Sequence, residues 1–128
     1  MGHGRQTDRQ AVGRRGEDLA VAELERQGLE VLARNWRCGR LGEVDVVALD
    51  RATAVPTVVV VEVKCRSGLG YGHPLEAITW AKLRTLRQLA AEWIREHQGS
   101  PARIRIDAIG VVLLPGAEPQ LTHARGIG

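Results

Sequence analysis

Hydrophobic and polar positions recur along the chain in blocks, and each block has the period of one kind of element. From Asp8 to Gln27 apolar residues return every three to four positions, which predicts a helix closed by Gly28. The seven residues before it carry no such pattern and are expected to be disordered. LEVLARN (29–35) and GEVDVVALD (42–50) read as strands, joined by a short basic connection from Trp36 to Leu41. RATAVP (51–56) is a turn, and PTVVVVEVK (56–64) a third strand with five valines. Near-continuous apolar character marks that strand as central and covered on both faces. RSGLGYGHP (66–74) is a glycine-rich loop, and a long helix is expected from Leu75 to His97. After SPA comes a fourth strand, RIRIDAIGVVLL (103–114), and the tail beyond Pro115 has room for one short edge strand near Leu121. The order helix, three strands, helix, strand predicts a single α/β domain over 8–128. Its early strands form an antiparallel meander, and its later helix crosses over the sheet.

Composition sharpens this picture in one respect. The chain carries 18 basic residues and a net charge of +3, mild enough to permit nucleic-acid binding without arguing for it alone. Only two of those residues, Lys64 and Lys82, are lysines. Where arginine supplies nearly every positive charge, a retained lysine points to a compact, titratable amine, although chance retention is the alternative. Cys38 and Cys65 form no CxxC pair and no disulfide framework. No apolar stretch is long enough to span a membrane, and the N-terminus lacks the apolar segment of a secretory signal, so a cytoplasmic protein is expected.

Chemistry concentrates at the ends of two strands. Strand alternation puts Val58, Val60, Glu62 and Lys64 on one face and Val59, Val61, Val63 and Cys65 on the other. It likewise groups Glu43, Asp45 and Val47, with Val44 and Val46 pointing away. Charges at the end of a valine strand are costly unless each finds a partner or a cation. Carboxylates from neighbouring strands suit a hard cation such as Mg²⁺ or Mn²⁺, which takes oxygen ligands and leaves positions for phosphate and water. Asp45 and Glu62 would supply those ligands. Lys64 would orient or deprotonate the attacking water, or stabilise the growing charge. A structural ion-pair cluster is the competing reading.

Asp45 followed by Glu62-Val63-Lys64 resembles the PD-(D/E)xK motif of restriction-endonuclease-like nucleases, with Val44 where the motif loosely keeps Pro. GRRGEDLA (13–20), RNW (34–36), GEVD (42–45), VEVKCR (61–66), YGHPLEAI (71–78), Lys82 and RIDAIGV (105–111) together resemble the YraN-like bacterial family, itself similar to archaeal Holliday-junction resolvases. The resemblance implies a restriction-endonuclease-like fold, with a central mixed sheet flanked by helices. It also implies a Mg²⁺- or Mn²⁺-dependent endonuclease acting on DNA rather than RNA, on branched structures in particular. Asp45, Glu62 and the backbone carbonyl of Val63 are the expected metal ligands. Resolvases complete the acidic cluster with a helical glutamate near the N-terminus, which points to Glu17. Glu17, Ala20 and Leu24 share one helical stripe, so Glu17 is expected to face the sheet, with Gly13 and Gly16 allowing close approach. Cutting both arms of a junction would need a symmetric dimer.

The remaining candidates are weighed residue by residue. Lys82 shares an apolar stripe with Ile78, Leu86 and Leu89, and reaches either a phosphate, the carboxylates, or simply water. Arg66 could hold a phosphate, and Arg34, Arg37 and Arg40 could contact a nucleic-acid backbone around Trp36. Trp36 is a base-stacking or core residue, and Glu43 an outer or surface one. Asp107 is expected to pair with arginines of its own strand, and Cys65 to be core. Cys38 reads as a loop thiol without a partner, and His73 and His97 as lacking metal-ligand company. The alternative function is a non-catalytic nucleic-acid-binding protein of the same fold.

Overall fold

The structure, a computed structural model, describes residues 3–68, 72–98 and 102–128, with side chains placed for 9–68, 72–97 and 102–128. Its order is α1 (His3–Arg26), β1 (Glu30–Cys38), β2 (Gly42–Asp50), β3 (Thr57–Arg66), α2 (Trp80–Trp93), β4 (Arg103–Val112) and β5 (Gln120–Ala124). The strands form one sheet in the order β1-β2-β3-β4-β5. β1, β2 and β3 make the antiparallel meander, and β3 pairs with β4 in parallel through the crossover that carries α2. β5 closes the far edge antiparallel to β4. The architecture is mixed α/β, as the pattern of the chain predicts.

One helix covers each face. On the α1 side Ala20 and Leu24 pack on Val46, Ala48, Val59, Val61, Ile109 and Val111. On the α2 side Leu86, Leu89, Ala90 and Trp93 pack on Val44, Val47, Val58, Val60 and Ile106. The central valines Val58 to Val61 are all fully buried, alternating between the two faces. That is the expected signature of a strand sandwiched between helices. Among the described residues no helix is long and apolar enough to cross a membrane.

Helix boundaries depart from the sequence reading in three places. α1 begins at His3, five residues before the expected start, so the expected disorder of the first seven residues does not extend to 3–7, while Met1 and Gly2 lie outside the described residues. Its end is as expected: Gly28 takes a left-handed φ of 92° and donates to the Glu25 carbonyl, while Leu29 donates to Leu24. The long second helix is broken. Pro74–Ala77 forms a separate 3-10 turn, and Ile78 and Thr79 are extended. The Thr79 hydroxyl then accepts from the Lys82 amide and starts α2. The helix loosens into a π turn over Ile94–Gln98. Part of the glycine-rich loop (69–71) and of the segment before β4 (99–101) lies outside the described residues.

The strand ends also shift. β1 runs three residues further than expected, so Trp36, Arg37 and Cys38 belong to the strand and the connection shrinks to a tight turn. The alternation in β2 is corrected as well: Val44 packs on the α2 side with Val47, whereas Val46 packs on the α1 side. The cause is local. Pairing of β2 with β3 ends at Val46↔Val61, so residues 43–45 are released from β3 while Glu43 and Val44 stay paired to β1. On the other flank Asn35, opposite Asp45, is left-handed with φ 52°. The sheet therefore splays at the level of Asp45.

Candidate active site

The splay leaves backbone groups of β3 without a strand partner, and Asp45 takes over one of them. Its Oδ2 accepts the Val63 amide at 2.8 Å. In a strand the N–H and C=O of one residue project to the same edge, so the Val63 carbonyl opens into the same gap. Glu62 enters the gap from β3 and is 7% exposed. Its Oε2 is buried and makes no hydrogen bond to any described group, although the Lys82 ammonium lies 3.2 Å away as an ion pair.

The electrostatics record how tightly the acids are held. The Asp45 carboxyl is raised from 3.8 to about 7. Burial is the largest cause, followed by the adjoining Glu62 carboxyl; the Val63 amide and the Lys82 charge oppose them. A buried carboxyl whose ionisation is opposed by a neighbouring acid, as Asp45's is, is what a divalent cation would relieve. An unbonded buried carboxylate oxygen, a second carboxylate and a free-edge carbonyl make an all-oxygen donor set, which fits Mg²⁺ or Mn²⁺ better than a softer metal. Lys64 follows Glu62 by two residues on the half-buried end of β3.

Beside this gap lies a cleft of about 1370 Å³ between α1 and the sheet end, whose lining includes Gly13, Glu17, Arg34, Asp45, Val63 and Arg66. α1 reaches the sheet closely because Gly16 is buried against Cys65: a β-carbon there would lie 2.6 Å from its Sγ. Gly13, by contrast, faces open space at the cleft. The stripe expected for α1 is present, with Ala20 and Leu24 fully buried. Glu17 looks into the cleft rather than to bulk solvent, with its side chain 14% exposed. Its Oε1 accepts from Arg34 Nε at 2.9 Å and from Asn35 Nδ2 at 3.0 Å. It does not join Asp45 and Glu62 in a tight triple: among the described residues the one group of three candidate ligands within 4.8 Å is Cys38, Glu92 and Glu96. There Arg95 bridges both glutamates, an ion-pair arrangement.

The arginines divide. Arg34 is not free for a backbone phosphate, since it clamps Glu17 and, at 2.6 Å, Asp18. Arg37 lies 3.8 Å from Glu43, with most of its side chain exposed, and Arg40 is exposed in the turn after β1. Arg66 lines the cleft with its Nε buried and unbonded. Lys82, whose sequence pattern left three destinations open, goes to the carboxylates.

Several bland readings prevail. Trp36 packs edge-on to Trp93, with ring centres 5.2 Å apart, and lies partly buried against the α2-side core. His97 stacks on Trp93, and His73 caps the 3-10 turn by accepting from Leu75. Cys38 ends a strand rather than sitting in a loop. Asp107 pairs with Arg105 as expected, but on the buried α1 side of the sheet. It is fully buried, receives Arg105 Nε at 2.9 Å and the Gly126 amide at 3.0 Å, and contacts His123 at 2.8 Å. Burial pushes its carboxyl up, and these bonds outweigh that and hold it below the usual range. The residue that sequence reasoning passes over is Trp80. It is 83% exposed and opens α2, a position signalled by Thr79 as a cap and by its place off the apolar stripe.

Residues 16–111, which contain the whole acidic gap, match the model of the uncharacterised protein family UPF0102. The chain belongs to the UPF0102 family. A UPF0102 protein of Renibacterium salmoninarum is 50% identical over 117 residues, covering 91% of this chain and 95% of that one. UPF0102 proteins of Mycobacterium marinum and Streptomyces coelicolor are each 48% identical over 120 residues, covering 94% and 93% of this chain and 96% and 89% of theirs. Likeness thus extends over nearly the full length. The family description names no activity.

Proposed function

We infer that this UPF0102 protein is a divalent-metal-dependent nuclease of restriction-endonuclease-like fold, hydrolysing DNA phosphodiesters. One observation carries the reading: the Asp45 and Glu62 carboxyls adjoin where the β2–β3 ladder has ended, and among the described residues the ion pair from Lys82 to Glu62 is the only one to either of them. One ammonium leaves this pair of acids short of positive charge, and a divalent cation on their oxygens would supply it. Asp45, Glu62 and the Val63 carbonyl would hold Mg²⁺ or Mn²⁺, which polarises a phosphate oxygen and acidifies water. Lys64 holds or accepts the proton of the attacking water, and Lys82, through its ion pair, aims the Glu62 carboxylate. Arg66 offers its unbonded Nε to a neighbouring phosphate, while Arg37 and Arg40 lie along the same end of the sheet for the strand beyond. DNA is preferred over RNA by the likeness to junction resolvases alone.

The test is cleavage of labelled linear, nicked, flapped and four-way DNA by the purified chain with Mg²⁺ or Mn²⁺, beside Glu62→Gln prepared identically. Cutting by the wild type that the variant lacks supports the reading. Absence of cutting on every substrate, together with Mn²⁺ affinity indifferent to Asp45→Asn and Glu62→Gln, overturns it.

A further inference from the structure

Trp80 has no structural reason to be where it is. A tryptophan left 83% exposed gives up the burial that its large ring would bring, and the first position of a helix does not need it. Its surroundings narrow its use. The only other large hydrophobic exposed among the described residues is Val55, in the turn between β2 and β3 at the opposite end of those strands. Among the described residues Trp80 is thus a lone exposed aromatic rather than part of an apolar patch of the size that docks proteins.

Its neighbours on the helix are cationic. Between Trp80 and Gln88 the sequence holds Lys82, Arg84 and Arg87 and no acid. Arg84, one turn on, shares the exposed side of α2 with Trp80. Arg87 donates to the carbonyl of Gly128. Lys82 turns inward to Glu62. Side chains in a helix tilt toward its N-terminus, so Trp80 leans toward the end of α2 from which Lys82 reaches the acidic gap.

An exposed aromatic face followed by cations, on the solvent side of the helix whose Lys82 reaches the acidic gap, is the chemistry that grips single-stranded nucleic acid. Bases stack on the ring while arginines follow the backbone. We propose that Trp80 is a stacking platform for an unpaired base of the strand that leaves the acidic gap past the start of α2. The substrate class is then DNA with an exposed single-stranded segment, such as a flap, fork or open junction, in preference to blunt duplex. This rests on the nuclease reading and deepens it by naming what the site grips.

Binding without metal separates this from catalysis. In EDTA the full chain is titrated with a fluorescent single-stranded oligonucleotide and with blunt duplex of equal length, while intrinsic tryptophan emission is followed. Trp36 and Trp93 are packed against each other, so quenching by single strand reports on Trp80. The wild type should bind single strand more tightly and lose emission. Trp80→Ala should weaken that affinity about tenfold and abolish the quench, with duplex affinity and melting temperature unchanged. Trp80→Phe, which keeps a ring, should retain most of the affinity. Unchanged single-strand affinity in Trp80→Ala overturns the inference alone if the wild type still binds and cuts DNA. Trp80-dependent self-association in sedimentation, with no quench by oligonucleotide, overturns it in favour of a protein contact. A wild type that neither binds nor cuts any DNA removes the nuclease reading beneath it.

Discussion

The carboxylate of Asp45 and the amide of Val63 meet at 2.8 Å where the β2–β3 ladder has already ended. A side chain does there what a strand partner would otherwise do. The bond fixes Asp45 beside Glu62 and keeps the gap open. It also sets a conflict, because the group that props the strands apart is an acid held in a half-buried place.

That conflict predicts how stability varies with pH. The folded, metal-free protein keeps the Asp45 proton up to about pH 7, whereas the unfolded chain releases it near 3.8. Between those values the folded state binds more protons, so stability falls as pH rises through the window. At pH 8 the ionised Asp45 costs on the order of a few kcal/mol. Asparagine still accepts the Val63 amide and sheds the charge. Asp45→Asn should therefore melt several degrees higher than wild type at pH 8 in EDTA, and the gap should narrow by pH 5. Mn²⁺ should raise the melting temperature of the wild type alone. Equal melting curves at pH 8 would show that Asp45 is not strained.

Lys64 should separate chemistry from metal binding. Of the two lysines, Lys82 is the one paired to Glu62, which leaves Lys64 for the water or the phosphate. Lys64→Ala should slow single-turnover cleavage by ~10²- to 10⁴-fold, with Mn²⁺ affinity by calorimetry nearly unchanged. Lys64→Arg should fail too, since a guanidinium keeps its proton. Full activity in Lys64→Arg would leave only an electrostatic role.

Gly16 should be intolerant of even one added carbon. A β-carbon at this site meets the Cys65 Sγ at 2.6 Å and its Cβ at 2.8 Å, so rotating the thiol alone does not clear it. Overpacking of this kind costs ~1–3 kcal/mol. Gly16→Ala should lower the melting temperature by several degrees, while Gly13→Ala, with nothing within 4 Å, should not. If both variants melt like wild type, the helix sits further from the sheet than described.

Strand positions are legible in the sequence because burial on two faces writes itself as valine runs. Val58 to Val61 need no structural information to be placed, and Glu62 and Lys64 stand out against them. The splay at Asp45 is not legible, because it depends on where a ladder stops, and strand alternation assumes that ladders continue. Hence Val44 is misassigned while Val46 is correct. The second helix hides its break for a similar reason. Ile78 fits the apolar stripe, and it takes the extended backbone at Ile78 and Thr79 and the capping bond from Lys82 to Thr79 to show that the helix starts anew. The break matters for Trp80, whose exposure at a helix start is hidden while the helix is read as continuous; Trp36, read as a base-stacker or a core residue, packs on Trp93. Arg34 looks like a phosphate ligand until Glu17 and Asp18 are seen to occupy it.

Glu17 is the remaining test of how far the site extends. It lines the same cleft as Asp45, and its side chain is largely buried. Yet Oε1 is held by Arg34 and Asn35, and its carboxylate does not converge with Asp45 and Glu62 to within ligand-sharing distance. Glu17 should thus act through water, as an outer ligand or a second-metal ligand, rather than on the first cation directly. Glutamine keeps the size, the helix propensity and an oxygen for Asn35. What it loses is the charge facing Arg34, whose side chain is 39% exposed, and such a pair is worth roughly 1 kcal/mol or less. Glu17→Gln should therefore melt within a few degrees of wild type. Its cleavage rate should fall about tenfold, the cost of losing one water-held contact of some 1.4 kcal/mol in the transition state. Raising Mn²⁺ should recover part of that loss, as expected for a second-metal ligand. Arg34→Ala separates the two roles of the pair. It leaves the Glu17 charge in the cleft, so it should cost stability more than rate. If Glu17→Gln cuts like wild type while Arg34→Ala is destabilised, Glu17 is only the counterion of Arg34, and the site consists of Asp45, Glu62 and Lys64.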